Sequence, residues 1–437
     1  MDYNEKRREI MADFKILRFG SKGPQTELLQ LGLTRAGYAT AADGIFGSNT
    51  QKSLIAFQRS HDLDADGIAG RLTWNALTPY LTGYTVYTVQ RGDSLYKIAT
   101  QLGTSIFALK TANPKADIYN LAVGSRLIVP FTYPVVPTNI SFTSTVLELV
   151  MTGLSARYPF ITVGSAGKSV MGKELCYLKI GNGARQVFYN ASHHGNEWIT
   201  TPLLLSFLEE YAAALSGGGT VFGISAARLY AASTLYIMPM VNPDGVDLAT
   251  GELDSGRFFE NAKRISADYP DIPFPSGWKA NIDGIDTNLQ YPAGWDNARE
   301  IKFSQGYVSP APRDYVGTAP LEAPESRAVY DFTLQHDFAL TISYHTQGEV
   351  IFWQYLDYTP ENALEIARRF SRLSGYEVAQ VPYESSFAGY KDWFISEYNR
   401  PGYTIEAGIG INPLPVSQFD KIRADNLGII TTALLPL

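Results

Sequence analysis

The sequence predicts an α/β protein in which a mixed β-sheet flanked by helices follows two small modules, one helical and one built as strand, helix, helix, strand. Three observations carry this. From about Ser141 onward, apolar β-rich runs alternate with helical stretches, the pattern of a sheet covered by helices. Nearer the start, Asp43-Gly44-Ile45-Phe46-Gly47-Ser48-Asn49-Thr50 recurs as Asp66-Gly67-Ile68-Ala69-Gly70-Arg71-Leu72-Thr73, a D-G-I-x-G-x-x-T pattern 23 residues apart. Between the two regions lies a segment of about 45 residues that opens and closes on short apolar strands.

Composition bounds the function. At 437 residues the chain exceeds one core and suits two or three domains. Its 45% hydrophobic and 18% charged content sets aside disordered and collagen-like classes. A net charge of -7 opposes a general nucleic-acid binder, which needs a basic face to neutralise phosphates. Cys176 is the single cysteine, so neither an intrachain disulfide nor a thiolate metal site is open to the chain. A metal would have to use His, Asp or Glu. Residues Met1 to Phe14 lack the apolar core of a signal peptide. The longest apolar stretch, Leu229 to Val241, is about 13 residues, short of the roughly 20 that span a bilayer, and reads as a buried strand. Composition leaves the oligomeric state open.

Residues 1–14 form an N-terminal extension, and the first module covers 15–83. Leu28, Leu29, Leu31 and Leu33 supply one apolar helical face, and Leu54, Ile55, Phe57 and Gln58 sit in a second helical stretch. Each Asp-Gly supplies a turn, and Thr50 and Thr73 are expected to cap the helices that follow. These features also fit a plain helical bundle. The ordered set Leu29-Gln30, Gly37-Tyr38, Asp43 to Gly47, Thr50, Phe57-Gln58, Asp66 to Gly70 and Thr73-Trp74 resembles the peptidoglycan-binding domain of bacterial wall hydrolases.

The second module covers 85–131: the strand and turn Tyr87 to Leu95, a helix from Tyr96 to Leu102, and the closing strand Gly124 to Pro130. Through Tyr87 to Ala99, Asn113-Pro114 and Gly124 to Pro130 it resembles the LysM domain, which implies binding to the N-acetylglucosamine chains of peptidoglycan or chitin. Pro134, Val135, Val136 and Pro137 then read as a stiff linker within 132–139.

In the remaining region, 140–437, ligands of a mixed sheet gather at the carboxyl ends of its strands. Gln186 to Ala191 reads as a strand that delivers Ser192-His193-His194-Gly195-Asn196-Glu197 to a loop before a helix near Pro202 to Leu215. His194 and Glu197, three apart, can face one point at the first turn of that helix, although on spacing alone most such pairs are solvated helix neighbours. Two further strands, Ala339 to Tyr344 and Tyr403 to Ile405, end at His345 and Glu406. Zinc catalysis needs three protein ligands and a base, roles that His194, Glu197, His345 and Glu406 can fill. Of the five histidines, His61 lies in the first module, and His193 and His336 are expected at the surface or behind the ligands.

Residues 140 to the end resemble the zinc carboxypeptidase family. Its H-x-x-E-W is matched at His194, Glu197 and Trp198, its Asn-Pro-Asp-Gly at Asn242 to Gly245, and its G-[VI]-D-x-N at Gly284 to Asn288. Its strand-end His and Glu are matched at His345 and Glu406. The resemblance implies one Zn2+ held by His194, Glu197 and His345, with Glu406 as the general base that takes the attacking water's proton and returns it to the leaving amine.

Digestive members follow the Asn of G-x-D-x-N with an Arg that clamps the substrate's terminal carboxylate. Here Leu289 follows Asn288. The run Asn288 to Trp295 instead resembles the γ-D-glutamyl-L-diamino acid endopeptidases of sporulating bacteria, which carry the same pair of leading modules and no signal peptide. This implies cleavage between D-Glu and the diamino acid, diaminopimelate or Lys, of the wall's stem peptide, by an enzyme that is cytoplasmic or sporulation-associated and acts on wall material. The family's oxyanion-stabilising Arg falls near Lys279, a position a solvated surface Lys would equally explain, and its mobile Tyr falls near Tyr383. Lys391 lies where relatives place a specificity residue that meets a substrate carboxylate. A carboxypeptidase for ordinary peptides is a second reading, opposed by the modules and Leu289. A wall-binding protein with a dead catalytic domain is a third, opposed by the intact quartet.

Overall fold

The computed structural model describes residues 14–436, so the reading of the N-terminal extension and of its missing signal peptide lies almost wholly outside the described residues. The chain forms two compact units, one ending at Thr162 and the other running from Val163.

In the first unit, helices Pro24–Arg35, Ser48–Ser60 and Arg71–Thr82 close on a core of Leu29, Leu33, Leu54, Phe57, Trp74 and Leu77. The repeated turns are held in an unexpected way. Thr50 and Thr73 do not cap: Gly47 and Gly70 occupy the N-cap positions, and each Thr lies inside its helix. Their hydroxyls face inward to a glutamine. The Gln30 Nε2 donates to Asp43 Oδ1 at 2.8 Å and Thr50 Oγ1 at 3.0 Å, and its Oε1 accepts from the Gly44 N–H at 3.0 Å. Gln58 repeats this with Asp66 at 3.0 Å, Thr73 at 3.2 Å and the Gly67 N–H at 3.0 Å. A buried amide that satisfies both its ends locks each turn to the preceding helix.

The second module pairs β1 (Tyr84–Thr88) antiparallel with β2 (Arg126–Pro130) beside helices Leu95–Leu102 and Ile106–Ala112. Val89, Leu95, Ile98, Leu109, Leu127 and Val129 form its core. Residues 132–139 are not a free spacer. Val135 and Val136 are buried, and Arg35 donates to the carbonyls of Pro134 and Val135 at 2.9 and 3.0 Å. The helix Ser144–Arg157 packs on Arg71–Thr82, β1 and β2 and groups by its contacts with this unit.

The second unit is built on an eight-stranded mixed sheet in the order β11-β10-β12-β9-β5-β8-β4-β3. Its strands are β3 (Thr162–Lys168), β4 (Glu174–Ile180), β5 (Arg185–Ala191), β8 (Ser233–Met238), β9 (Phe338–His345), β10 (Val350–Phe352), β11 (Glu377–Ala379) and β12 (Gly402–Glu406). A separate two-residue hairpin supplies β6 (Thr220–Val221) and β7 (Ile224–Ser225). The apolar run from Leu229 is only partly strand: its first residues finish the helix Ala226–Ala232, and β8 starts at Ser233. Among the described residues no helix is long and apolar enough to cross a membrane.

β5, β8, β9 and β12 run parallel, so their carboxyl ends meet at one edge. Register sets Ala191 beside Tyr344 and His345 beside Glu406. Strands covered on both faces are apolar throughout, and polar side chains that interrupt such runs at the ends face a cleft.

Candidate active site

β5 ends at Ala191, and the chain turns sharply through Ser192, whose φ of 51° is left-handed, into the 3-10 turn Gly195–Glu197. His194 and Glu197 therefore sit on this turn, just ahead of the helix Thr200–Gly217, and not on the helix as the spacing suggested. The Asn-Pro-Asp-Gly run has a structural explanation. A Cβ on Gly195 would lie 2.4 Å from the Gly245 carbonyl oxygen, so two backbones touch there. Asn242 fastens the contact: its Nδ2 donates to the carbonyls of His193 at 3.1 Å and Ala280 at 2.9 Å, and its Oδ1 accepts from the Gly245 N–H at 2.9 Å.

Donor atoms of His194, Glu197 and His345 all lie within 4.8 Å of one another. Each imidazole presents Nδ1 to the carboxylate, His194 at 2.9 Å from Oε1 and His345 at 2.9 Å from Oε2, and the two Nδ1 atoms are 3.2 Å apart. On the far side of His194, Nε2 donates to Asp286 Oδ1 at 3.2 Å, the bond that leaves the Nδ1 lone pair facing inward. With both imidazoles neutral and protonated on Nε2, two Nδ1 lone pairs and a buried carboxylate would face one point, a donor set suited to a borderline cation such as zinc.

The charges are strongly interdependent. Burial pushes the Glu197 carboxyl upward, but His194 and Lys279 hold it well below the usual carboxylate range. Burial opposes charge on His194, yet Glu197 outweighs it and the imidazole is raised to about 9. The His345 ring is instead lowered, mainly by burial. Glu406, whose carboxylate accepts no hydrogen bond from any described residue, is pushed up to about 8 by burial and by the Glu197 charge.

Sequence-predicted residues separate into those the fold brings together and those it does not. His194, Lys279, Asn288, Leu289, Lys391 and Glu406 all line one cleft with a volume of about 640 Å³. Glu197 and His345 are buried against His194 and are not among the lining residues. Lys279 is no solvated surface lysine: its Nζ lies 3.2 Å from Glu197 Oε1. Lys391 is buried, pairs with Asp392 and donates to the Gln354 carbonyl at 2.7 Å. Asn288 accepts from the Tyr390 N–H at 3.1 Å. Tyr383 stands apart: its side chain is 62% exposed, rests edge-on against Phe387, and is absent from the cleft lining. His193 is fully buried, its Nε2 3.0 Å from the Tyr291 hydroxyl and its ring stacked on His345.

Other cleft groups escaped the sequence reading. Asp286 was visible as the Asp of the Gly284 to Asn288 motif, but only the fold shows that it touches His194. The Asn412 Nδ2 reaches Glu197 Oε1 at 3.4 Å from a loop after β12, with no local signal in the sequence. Lys302, Arg313 and Asp314 also line the cleft, from a long connection without recognisable motifs.

Comparison with known proteins agrees with this arrangement. The zinc carboxypeptidase family profile matches residues 147–427, a peptidoglycan-binding domain profile matches 22–77, and the LysM profile matches 87–130. A gamma-D-glutamyl-L-diamino acid endopeptidase 1 of Lysinibacillus sphaericus is 43% identical over 281 residues, covering 64% of this chain and 69% of the relative. The YqgT protein of Bacillus subtilis (strain 168) is 38% identical over 280 residues, covering 63% and 73%. A solved carboxypeptidase A from Helicoverpa armigera shares the fold with a TM-score of 0.51 at 18% identity, over 77% of this chain and 80% of that one. With the family profile matching residues 147–427 and a His-Glu-His cluster able to hold a metal at the sheet edge, the chain belongs to the zinc carboxypeptidase family and is a metallopeptidase.

Proposed function

We propose that this enzyme hydrolyses the γ-D-glutamyl-L-diamino acid bond of peptidoglycan stem peptides, using one zinc ion held by His194, Glu197 and His345. The observation that carries the reading is Leu289. It lines the cleft directly after Asn288, where a carboxylate-clamping Arg would favour C-terminal trimming, and an apolar side chain there suits a substrate that continues past the scissile bond. The name and 43% identity of the Lysinibacillus relative support it, as do the peptidoglycan-binding and LysM profiles.

Zinc, when bound, supplies Lewis acidity that polarises the scissile carbonyl and acidifies water. Glu406 takes a proton from the attacking water and delivers it to the leaving amine. Lys279 places a positive charge beside Glu197, where it can offset negative charge on the carbonyl oxygen. Asp286 orients His194. Asn288 and Leu289 shape the leaving-group side of the cleft. Lys391 has one N–H left for a substrate carboxylate after Asp392 and Gln354, and unchanged substrate preference in Lys391→Met would remove it from this role. Tyr383 reaches a substrate only if its exposed turn, Tyr383–Ser385, moves. The two modules would raise the local concentration of the hydrolase on glycan, which places its action on wall material.

Metal analysis followed by digestion of defined tri- and tetrapeptide stems, with and without chelator, tests the proposal. Mass spectrometry should find L-Ala-D-Glu and a free diamino-acid fragment. Absence of zinc, survival of the stem peptide, or release of C-terminal residues from ordinary peptides at a higher rate would each overturn it.

A further inference from the structure

Four Lys or Arg side chains line the cleft, at positions 279, 302, 313 and 391. Three are engaged. Lys279 is held by Glu197, Lys391 by Asp392, and Lys302 by Asp314, whose Oδ1 is 2.6 Å away. Arg313 differs. It pairs with the other oxygen of Asp314 through Nε alone, and its two Nη groups make no hydrogen bond or ion pair with any described residue. One carboxylate is thus shared by two cations. The uncompensated positive charge sits on the more exposed partner, with the Arg313 side chain 44% and the Lys302 side chain 11% exposed.

The backbone that carries this guanidinium is also held in place. Asp314 adopts a left-handed φ of 65°, and its N–H donates to Asp286 Oδ2 at 3.1 Å, the carboxylate that orients His194. The Asp286 N–H returns a bond to the Tyr315 carbonyl at 2.8 Å. On the other side of Arg313, the Pro312 carbonyl accepts from the Lys279 N–H at 2.8 Å and the Ala280 N–H at 2.9 Å. Arg313 is therefore tied by backbone to both the metal-binding cluster and the lysine assigned to the scissile carbonyl, and it presents a planar fork suited to a carboxylate.

A γ-linked D-glutamyl residue, unlike most residues ahead of an ordinary peptide bond, carries such a group: its free α-carboxylate, three carbons from the scissile carbonyl on the acyl side. We infer that Arg313 reads this α-carboxylate through its free Nη groups, and so selects γ-glutamyl over ordinary peptide bonds. The inference rests on the proposed stem-peptide activity and adds to it the residue that recognises the acyl side. It explains how an enzyme with Leu289 in the clamping position still uses a guanidinium fork, now aimed at an internal carboxylate.

The test compares the full-length, zinc-loaded enzyme with Arg313→Met and Arg313→Lys on two substrates. One is L-Ala-γ-D-Glu-L-diamino acid, and the other is the same tripeptide with the D-Glu α-carboxylate converted to a carboxamide. The parent should prefer the carboxylate. Arg313→Met should lower kcat/KM on it by about tenfold to a hundredfold, mainly through KM, while changing the carboxamide by no more than about threefold. Arg313→Lys, which keeps the charge without the fork, should fall between. Zinc content should stay at parental level in both variants, which separates lost recognition from damage to the site. Equal losses on the two substrates, or no parental preference between them, would overturn the inference with the proposed function intact. A parent that cleaves neither tripeptide but hydrolyses ordinary peptides would overturn the function itself, and this inference with it.

Discussion

Replacing Asp286 by Asn should weaken metal binding by about tenfold to a hundredfold. The carboxylate serves three donors: Oδ1 accepts from His194 Nε2 at 3.2 Å and from the Asn288 N–H at 3.1 Å, and Oδ2 accepts from the Asp314 N–H at 3.1 Å. An amide has only one oxygen for these three. If it faces His194 and Asn288, its NH2 meets the Asp314 N–H. If it turns the other way, its NH2 meets His194 Nε2, and the imidazole must move its proton to Nδ1, the atom aimed at Glu197. Either choice leaves a buried donor unmatched, which costs about 1 to 3 kcal/mol. The negative charge is also lost beside an imidazole that it helps to polarise; burial opposes that charge, but His194 and Lys279 keep the carboxyl far below its usual range. Competition with a chromophoric chelator at fixed pH measures the affinity, and circular dichroism confirms that the fold persists. Affinity within twofold of the parent would refute the argument that Asp286 selects the His194 tautomer.

Three further outcomes follow from the same geometry. Glu406→Gln should lower kcat by about a hundredfold to ten-thousandfold with zinc content and KM unchanged, since only the proton carrier is removed; a loss under tenfold in steady-state assays would assign the base elsewhere. Gly195→Ala should destabilise the second unit by about 1 to 3 kcal/mol in denaturant titration, because its Cβ would lie 2.4 Å from the Gly245 oxygen, and a neutral result would mean the two turns can separate. Glu325, which accepts from the Val170 N–H at 3.0 Å and from Asn281 Nδ2 at 3.0 Å, has its carboxyl raised by burial from 4.5 to about 7. A raised carboxyl favours the protonated fold, so its contribution is complete below pH 4.5 and is lost as pH rises through about 7, on the order of 3 kcal/mol in all. The Tm gap between the parent and Glu325→Gln should therefore change between pH 5 and pH 8, and a constant gap would show that Glu325 does not titrate in that window.

Local chemistry was legible in the sequence wherever it is carried by adjacent residues. The DGI turns, the strand that ends at Ala191, and the strand ends at His345 and Glu406 are each determined by a short run whose period or turn residues act within a few positions. The His194, Glu197 and His345 cluster, which could hold a metal, and its neighbouring carboxylate could be read as a set for the same reason: parallel strands that end in polar side chains deliver them to one edge. Less legible was anything set by a partner distant in the chain. Thr50 and Thr73 looked like caps because a cap is a local device, yet Gln30 and Gln58 claim their hydroxyls from another helix.

What the sequence by itself determined is the inventory, namely two wall-type modules, a mixed sheet and four groups suited to zinc peptidase chemistry. Only the tertiary structure decided that Lys279 meets Glu197, that Lys391 is already paired, that Tyr383 is exposed and outside the cleft lining, and that Arg313 keeps its fork free. The physical reason is the compensation of charge. Whether a cation is catalytic, structural or available to a ligand depends on which carboxylate the fold sets beside it, and in this cleft every such partner except Asp392 comes from a distant segment or is shared with one.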